Sequence, residues 1–140
     1  CLCGEVEFEV NDKLPNFYQC HCSLCQKATG SSSCSSFITS IDGIKWIKGK
    51  DKISSYTKVS GFKSEFCSIC GSPVPNIMNS GNYMWVPAGL LEDVTNRALG
   101  AHIYLDSKAS WEKEVENIKK LPDGPKHIEE FISFLNDIHN

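Results

Sequence analysis

No apolar run in the sequence approaches the roughly 18 residues that a membrane-spanning helix requires, so no membrane partner is expected. Positive charge is not in excess either: 14 Lys and Arg stand against 17 Asp and Glu, giving a formal net charge of -3. Such a balance offers nucleic acid no general electrostatic footprint, and no nucleic-acid partner is expected. Internal repeats, low-complexity tracts and long runs of one charge are missing as well. No targeting segment is visible, which fits a cytoplasmic protein. The chain opens on Cys1 rather than Met, which predicts that residues precede it naturally.

What is present reads as a globular protein. Hydrophobic residues make up 41% and charged residues 22%, both ordinary values. A chain of 140 residues suits one domain, because halves of it would bury too little surface to be stable unaided. Residues 1–121 form the expected main domain, and 122–140 a helical extension packed on it.

Val6, Phe8 and Val10 alternate with Glu5, Glu7 and Glu9, the pattern of an antiparallel strand with one wet face. Phe17–Cys20 leads a second strand into a dense cysteine cluster, and 23–29 suits one or two helical turns. Further strand-like stretches are Ser36–Ile41, Ile44–Ile47, Ile53–Val59, Phe62–Cys67, Tyr83–Pro87 and His102–Leu105, punctuated by glycines. The expected class is therefore all-β, mainly antiparallel. Beyond the breaker Pro122-Asp-Gly-Pro125, residues Ile128, Phe131, Ile132, Leu135 and Ile138 recur with helical period. They predict an amphipathic helix with Pro125 at its first position, docked on the core or on a second copy of the chain in a homodimer.

The eight cysteines amount to about 6% of the chain, below the density of a disulfide scaffold. They fall as Cys1-x-Cys3, Cys20-x-Cys22-x-x-Cys25, a lone Cys34 and Cys67-x-x-Cys70. Bridged Cα atoms prefer about 5.5 Å and a defined torsion, so a disulfide between residues two apart is strained. Close pairs instead suit a tetrahedral thiolate site, where one tight turn supplies two ligands. Cys1, Cys3, Cys67 and Cys70 can close a saturated structural site. Cys20, Cys22 and Cys25 supply three thiolates and leave a fourth position open. Spacing alone does not fix this partition. Cys22 and Cys25 with Cys67 and Cys70 would make a zinc ribbon, and Cys34 or His21 could close the trio.

Three motifs carry a resemblance. Cys1-Leu-Cys-Gly-Glu-Val-Glu-Phe8, Cys20-His-Cys-Ser-Leu-Cys-Gln-Lys-Ala-Thr-Gly30 and Phe66-Cys-Ser-Ile-Cys-Gly-Ser-Pro73 resemble the glutathione-dependent formaldehyde-activating enzyme family, which includes centromere protein V. The likeness runs through Ile44–Gly49, Ser54–Tyr56, Pro87–Gly89, His102–Tyr104 and Ala109–Trp111, roughly residues 1–112. It implies a β-tent fold pinned by two zinc ions. Cys1, Cys3, Cys67 and Cys70 would hold a structural zinc, and Cys20, Cys22 and Cys25 a catalytic, substrate-facing one. It further implies a carbon–sulfur lyase that joins a thiol such as glutathione to formaldehyde, giving S-hydroxymethylglutathione. Gln26 departs from the family's usual Arg, the stretch Ser72–Pro75 from its usual Gly-Thr or Gly-Ser followed by Leu, and the helix after residue 122 is an addition.

Around the trio, Lys27 is the candidate for recognising a substrate carboxylate, against the plainer reading of a solvated surface charge. Ser31, Ser32, Ser33 or a water are candidate proton donors. His21, between two ligands, is expected to point away from the metal. His102 is expected to be structural, Cys34 a small buried hydrophobe, and Trp46, Trp85 and Trp111 core or pocket-wall residues. The competing class is a non-enzymatic zinc-binding module for protein or chromatin interaction. A thioredoxin-like role for Cys22-x-x-Cys25 lacks the βαβ context it needs.

Overall fold

The computed structural model describes residues 1–92, 94–113 and 118–138. In chain order the strands are β1 (Glu7–Val10), β2 (Phe17–Cys20), β3 (Cys34–Ser40), β4 (Ile44–Lys48), β5 (Ile53–Thr57), β6 (Lys63–Cys67), β7 (Asn76–Ile77), β8 (Tyr83–Pro87), β9 (Leu99–Ile103) and β10 (Lys119–Lys120). Helix α1 spans Ser23–Thr29 and α2 spans Ile128–Asp137. Two compact units form, Cys1–Leu14 with Ile38–Leu90 and Pro15–Phe37 with Leu91–Asn140. Each is assembled from segments far apart in sequence, which is why no composition shift marks a boundary.

In the first unit β1 pairs antiparallel with β4, Phe8 opposite Trp46 and Val10 opposite Ile44. Glu7 and Glu9 face solvent while Phe8 and Val10 are half-buried, as the alternation requires. The Phe8 ring meets Trp46 edge-on at 5.9 Å, the favoured aromatic geometry. Hairpin β5–β6 sets Ile53 opposite Cys67. Val6, Cys67 and Val74 form a small buried core onto which Cys1, Trp46, Ile53 and Cys70 pack. That apolar base is the floor of the first cysteine cluster.

The second unit carries the strand order β10-β9-β2-β3. β2 is antiparallel to β3 but parallel to β9, and β9 is parallel to β10. Parallel neighbours need long crossovers, and alternation in sequence does not reveal them. β9 is also displaced from the expected His102–Leu105: it runs Leu99–Ile103 and stops because Tyr104 adopts φ 58, in the left-handed region. Such a backbone is an outlier for an aromatic residue and cannot continue a strand.

Helix α2 starts at Ile128, behind an N-cap at His127, and not at Pro125. Phe131 and Leu135 are buried, and the Phe131 ring meets Tyr18 edge-on at 5.4 Å. The side-chain amide of buried Asn16 donates to the carbonyls of Leu135 (3.0 Å) and Ile138 (2.8 Å). Its Oδ1 accepts from the Ala98 N–H at 2.9 Å. One side chain thus satisfies two carbonyls that a helix end leaves without partners. Gly100 permits the close approach, because a Cβ there would lie 2.4 Å from Ile138 Cδ1. No helix among the described residues is long and apolar enough to cross a membrane.

Candidate metal centres and their surroundings

Each unit gathers one cysteine cluster. In the first, Cys1 and Cys3 lie in a tight N-terminal turn closed by Gly4 N–H to Cys1 O at 3.0 Å. Cys67 ends β6, and Cys70 follows in a turn closed by Gly71 N–H to Cys67 O at 2.8 Å. The four sulfurs lie within 4.8 Å of one another. Cys1 Sγ is 3.6 Å from Cys3 Sγ, and Cys3 Sγ is 3.8 Å from Cys67 Sγ. A tetrahedron with zinc–sulfur arms of about 2.3 Å has edges of about 3.8 Å, so the spacing fits a zinc ion. The surroundings supply donors to thiolates: Val6 N–H points at Cys1 Sγ (3.2 Å), and Ser72 Oγ lies 3.3 Å from Cys70 Sγ. The hydroxyl and N–H of Ser72 hold the Cys70 thiol down at about 6. Leu2 and Ile69, the residues between ligands, turn outward and are 89% and 59% exposed.

In the second unit, Cys20 ends β2, Cys22 is the N-cap of α1, and Cys25 is the one buried residue of that helix. Cys22 Sγ accepts the N–H of Cys25 at 3.4 Å, the usual duty of an N-cap side chain. The three sulfurs lie within 4.8 Å of one another. Sulfurs this close cannot all ionise without a cation. Hydrogen bonds from Cys20 and Cys25 draw Cys22 down to about 2. The bond to Cys22 pushes Cys20 up to about 12, and bonds to Cys20 and Cys22 likewise raise Cys25. One thiolate and two thiols thus share the space that a soft divalent cation suits, and a three-thiolate donor set fits zinc with one position free.

Among the described residues no fourth Cys, His, Asp or Glu joins the trio. His21 is fully buried and turned away, with both ring nitrogens engaged. Nδ1 meets Glu112 Oε2 and Nε2 meets His102 Nδ1, each at 2.9 Å. Cys34 stands opposite Cys20 across β2–β3, yet its Sγ lies against Ser36 Oγ at 3.4 Å. Burial raises the Cys34 thiol. Cys34 is therefore a buried neighbour of the trio rather than a member.

Lys27 is exposed on α1, two residues past Cys25. Gln26 is committed to the scaffold: its Nε2 donates to the carbonyls of His21 (2.7 Å) and Ser107 (2.9 Å). Of the candidate proton donors, Ser32 already donates to Glu112 Oε1 at 3.1 Å, and Ser31 is exposed. Trp46 and Trp85 are half-buried, but Trp111 is 70% exposed and so is not a core residue: its ring turns to solvent while its neighbour Glu112 turns inward to His21.

Two residues escaped the sequence reading. Glu112 lies 91 positions from His21, and only its place beside Trp111 in the terminal motif pointed to it. Tyr104 was part of the His102–Tyr104 motif without a role. Its backbone follows Ile103, which pairs with Cys20 and accepts the His21 N–H at 3.0 Å. The ring lies over Gly124, where a Cβ would come within 2.4 Å of the hydroxyl. Burial first, and then the negative charge held within the trio, raise its phenol, which therefore keeps its proton.

Among curated proteins no significant match is found. A crystal structure of a Rhodobacter sphaeroides protein is similar over 71% of this chain and 95% of that one, with a TM-score of 0.56 at 20% identity, a likeness in fold. The family described as glutathione-dependent formaldehyde-activating enzyme matches residues 1–107, most of the chain and both cysteine clusters. The protein belongs to the glutathione-dependent formaldehyde-activating enzyme family.

Proposed function

We propose that the protein is a zinc-dependent carbon–sulfur lyase that adds a small thiol to a small aldehyde, glutathione and formaldehyde being the substrates the family name points to. The observation that carries this reading is the contrast between a four-sulfur cluster and a three-sulfur one. The first is saturated and structural. A zinc ion in the second would supply a free position at which a substrate sulfur is held as thiolate.

The step forms one carbon–sulfur bond. The substrate sulfur attacks the aldehyde carbon, the carbonyl electron pair moves to oxygen, and that oxygen takes a proton. Tyr104 is the proton donor in this reading. Its phenol stays protonated, its backbone holds a costly conformation directly after Ile103, the partner of Cys20 across the sheet, and Ser32 is occupied by Glu112. The proton lost from the substrate thiol restores the phenol through solvent. Lys27 offers a positive charge to a substrate carboxylate. Gln26, neutral and bonded to two carbonyls, supplies no such charge, so a thiol less anionic than glutathione suits this site better.

The test is a calorimetric titration of zinc-loaded protein with glutathione, cysteine and a neutral thiol, each with and without formaldehyde. Binding of at least one thiol at millimolar concentration or below, followed by adduct formation, is expected. No binding with the second site full would contradict the lyase. A binding module is the second reading, favoured by the exposed apolar pair Leu2 and Ile69 at the tip of the first cluster.

A further inference from the structure

One carboxylate in the second unit bridges the residues that flank α1, the helix that carries Cys25. Glu112 Oε2 meets His21 Nδ1 at 2.9 Å, and Oε1 accepts the Ser32 hydroxyl at 3.1 Å. His21 precedes α1 and Ser32 follows it, so the two oxygens close a clamp around the helix that presents Cys25. A carboxylate only accepts, which places a hydrogen on His21 Nδ1. In the neutral ring Nε2 then accepts from His102 Nδ1–H, at 2.9 Å. His21 is fully buried, and its imidazole is fixed at both ends.

His21 lies between Cys20 and Cys22, whose sulfurs turn toward a common point while the imidazole turns away. Fixing that ring fixes the backbone on both sides of it, and with it the direction of both sulfurs. Glu112 is itself held: its N–H donates to Ala109 O at 3.0 Å, and its carbonyl accepts from Lys108 Nζ. Gln26 ties α1 to Ser107 in the same segment. From this geometry we infer that Glu112 is a positioning residue for the second metal site, acting through His21 and Ser32 to hold the three sulfurs in register. The inference rests on the reading of the trio as a metal centre, and it extends that site to a residue outside the cysteine motifs.

A role confined to general stability would weaken both metal sites alike or neither. A positioning role weakens one. The experiment is competition of the full chain, loaded with zinc, against a chromogenic chelator, resolving two equivalents per chain, with cobalt spectra of the same variants. Glu112→Ala should lower the affinity of the second equivalent by about 10- to 100-fold, the range for losing a group that orients metal ligands, and leave the first unchanged. Glu112→Gln should restore most of that loss, because its amide oxygen accepts from His21 and its NH2 donates to Ser32 Oγ. Its cobalt spectrum should match the wild type. Ser32→Ala removes one arm only and should cost severalfold, which keeps the matter decidable should Glu112→Ala not fold. Second-site affinity within twofold of wild type in both alanine variants, or equal losses at both sites, would overturn the role of Glu112. A wild-type chain that binds a single equivalent would overturn the trio as a metal centre, and this role with it.

Discussion

His21, the residue between Cys20 and Cys22, shares a 2.9 Å hydrogen bond with His102 on the neighbouring strand β9. Both rings are almost fully buried, their centroids 5.1 Å apart. Buried imidazoles cost free energy unless their nitrogens are paired, and this pair satisfies one nitrogen on each ring. The histidine that invites reading as a metal ligand thus spends both ring nitrogens on Glu112 and His102. That pairing takes His21 out of the trio, which among the described residues gathers only Cys20, Cys22 and Cys25.

The four-sulfur cluster joins turns more than sixty residues apart, and a cross-link of that span constrains the unfolded chain strongly. Structural zinc contributes on the order of 10 kcal/mol to such folds, so Cys67→Ser, at a wholly buried sulfur, should leave the first unit unfolded or insoluble. Circular dichroism and thermal melting check this. A soluble variant with unchanged melting would contradict a structural role.

Metal uptake by the trio should release protons in a defined number. Cys22 is already thiolate near neutral pH, whereas Cys20 is held protonated by its bond to Cys22, and Cys25 by its bonds to Cys20 and Cys22. Coordination requires all three as thiolates, so about two protons leave per ion bound, and affinity falls as pH is lowered. Calorimetry in buffers of differing ionisation enthalpy counts them, with the first site preloaded. No release on filling the second site would show that these sulfurs are not its ligands.

Tyr104→Phe separates binding from chemistry. Thiol affinity should stay within about twofold, since the ring and its seat on Gly124 remain. Adduct formation should slow by about a hundredfold, a low-end value for removing a general acid. Rapid mixing with formaldehyde, followed by NMR of the hydroxymethyl adduct, measures it. An unchanged rate would return the proton-donor role to solvent.

Both clusters were legible as candidates, because Cys-x-Cys and Cys-x-x-Cys reflect the reach of one tight turn around one ion. The division of ligands was not legible from spacing alone: Cys22 and Cys25 suit Cys67 and Cys70 equally well on paper. The β1 alternation and the α2 periodicity carried through, since each element buries one face. The parallel pairing of β2 with β9 depends on a crossover of nearly eighty residues and leaves no local signature. The early end of β9 at Ile103 depends on the left-handed Tyr104, which no propensity foretells. Glu112 carried no readable role for a similar reason, because its partners His21 and Ser32 lie 91 and 80 residues away.

Zinc-edge X-ray absorption on fully loaded protein, before and after saturation with thiol, tests the open trio most directly. Before thiol, the two sites together should average about 3.5 sulfurs and 0.5 light atoms per zinc, the mean of a closed and an open thiolate site. With thiol, the light-atom shell should vanish and the average should reach about four sulfurs. Cys22→Ser, loaded at one equivalent, should show four sulfurs with or without thiol. Four sulfurs per zinc in the wild type before any thiol is added, or a light-atom shell that persists at saturating thiol, would contradict the account.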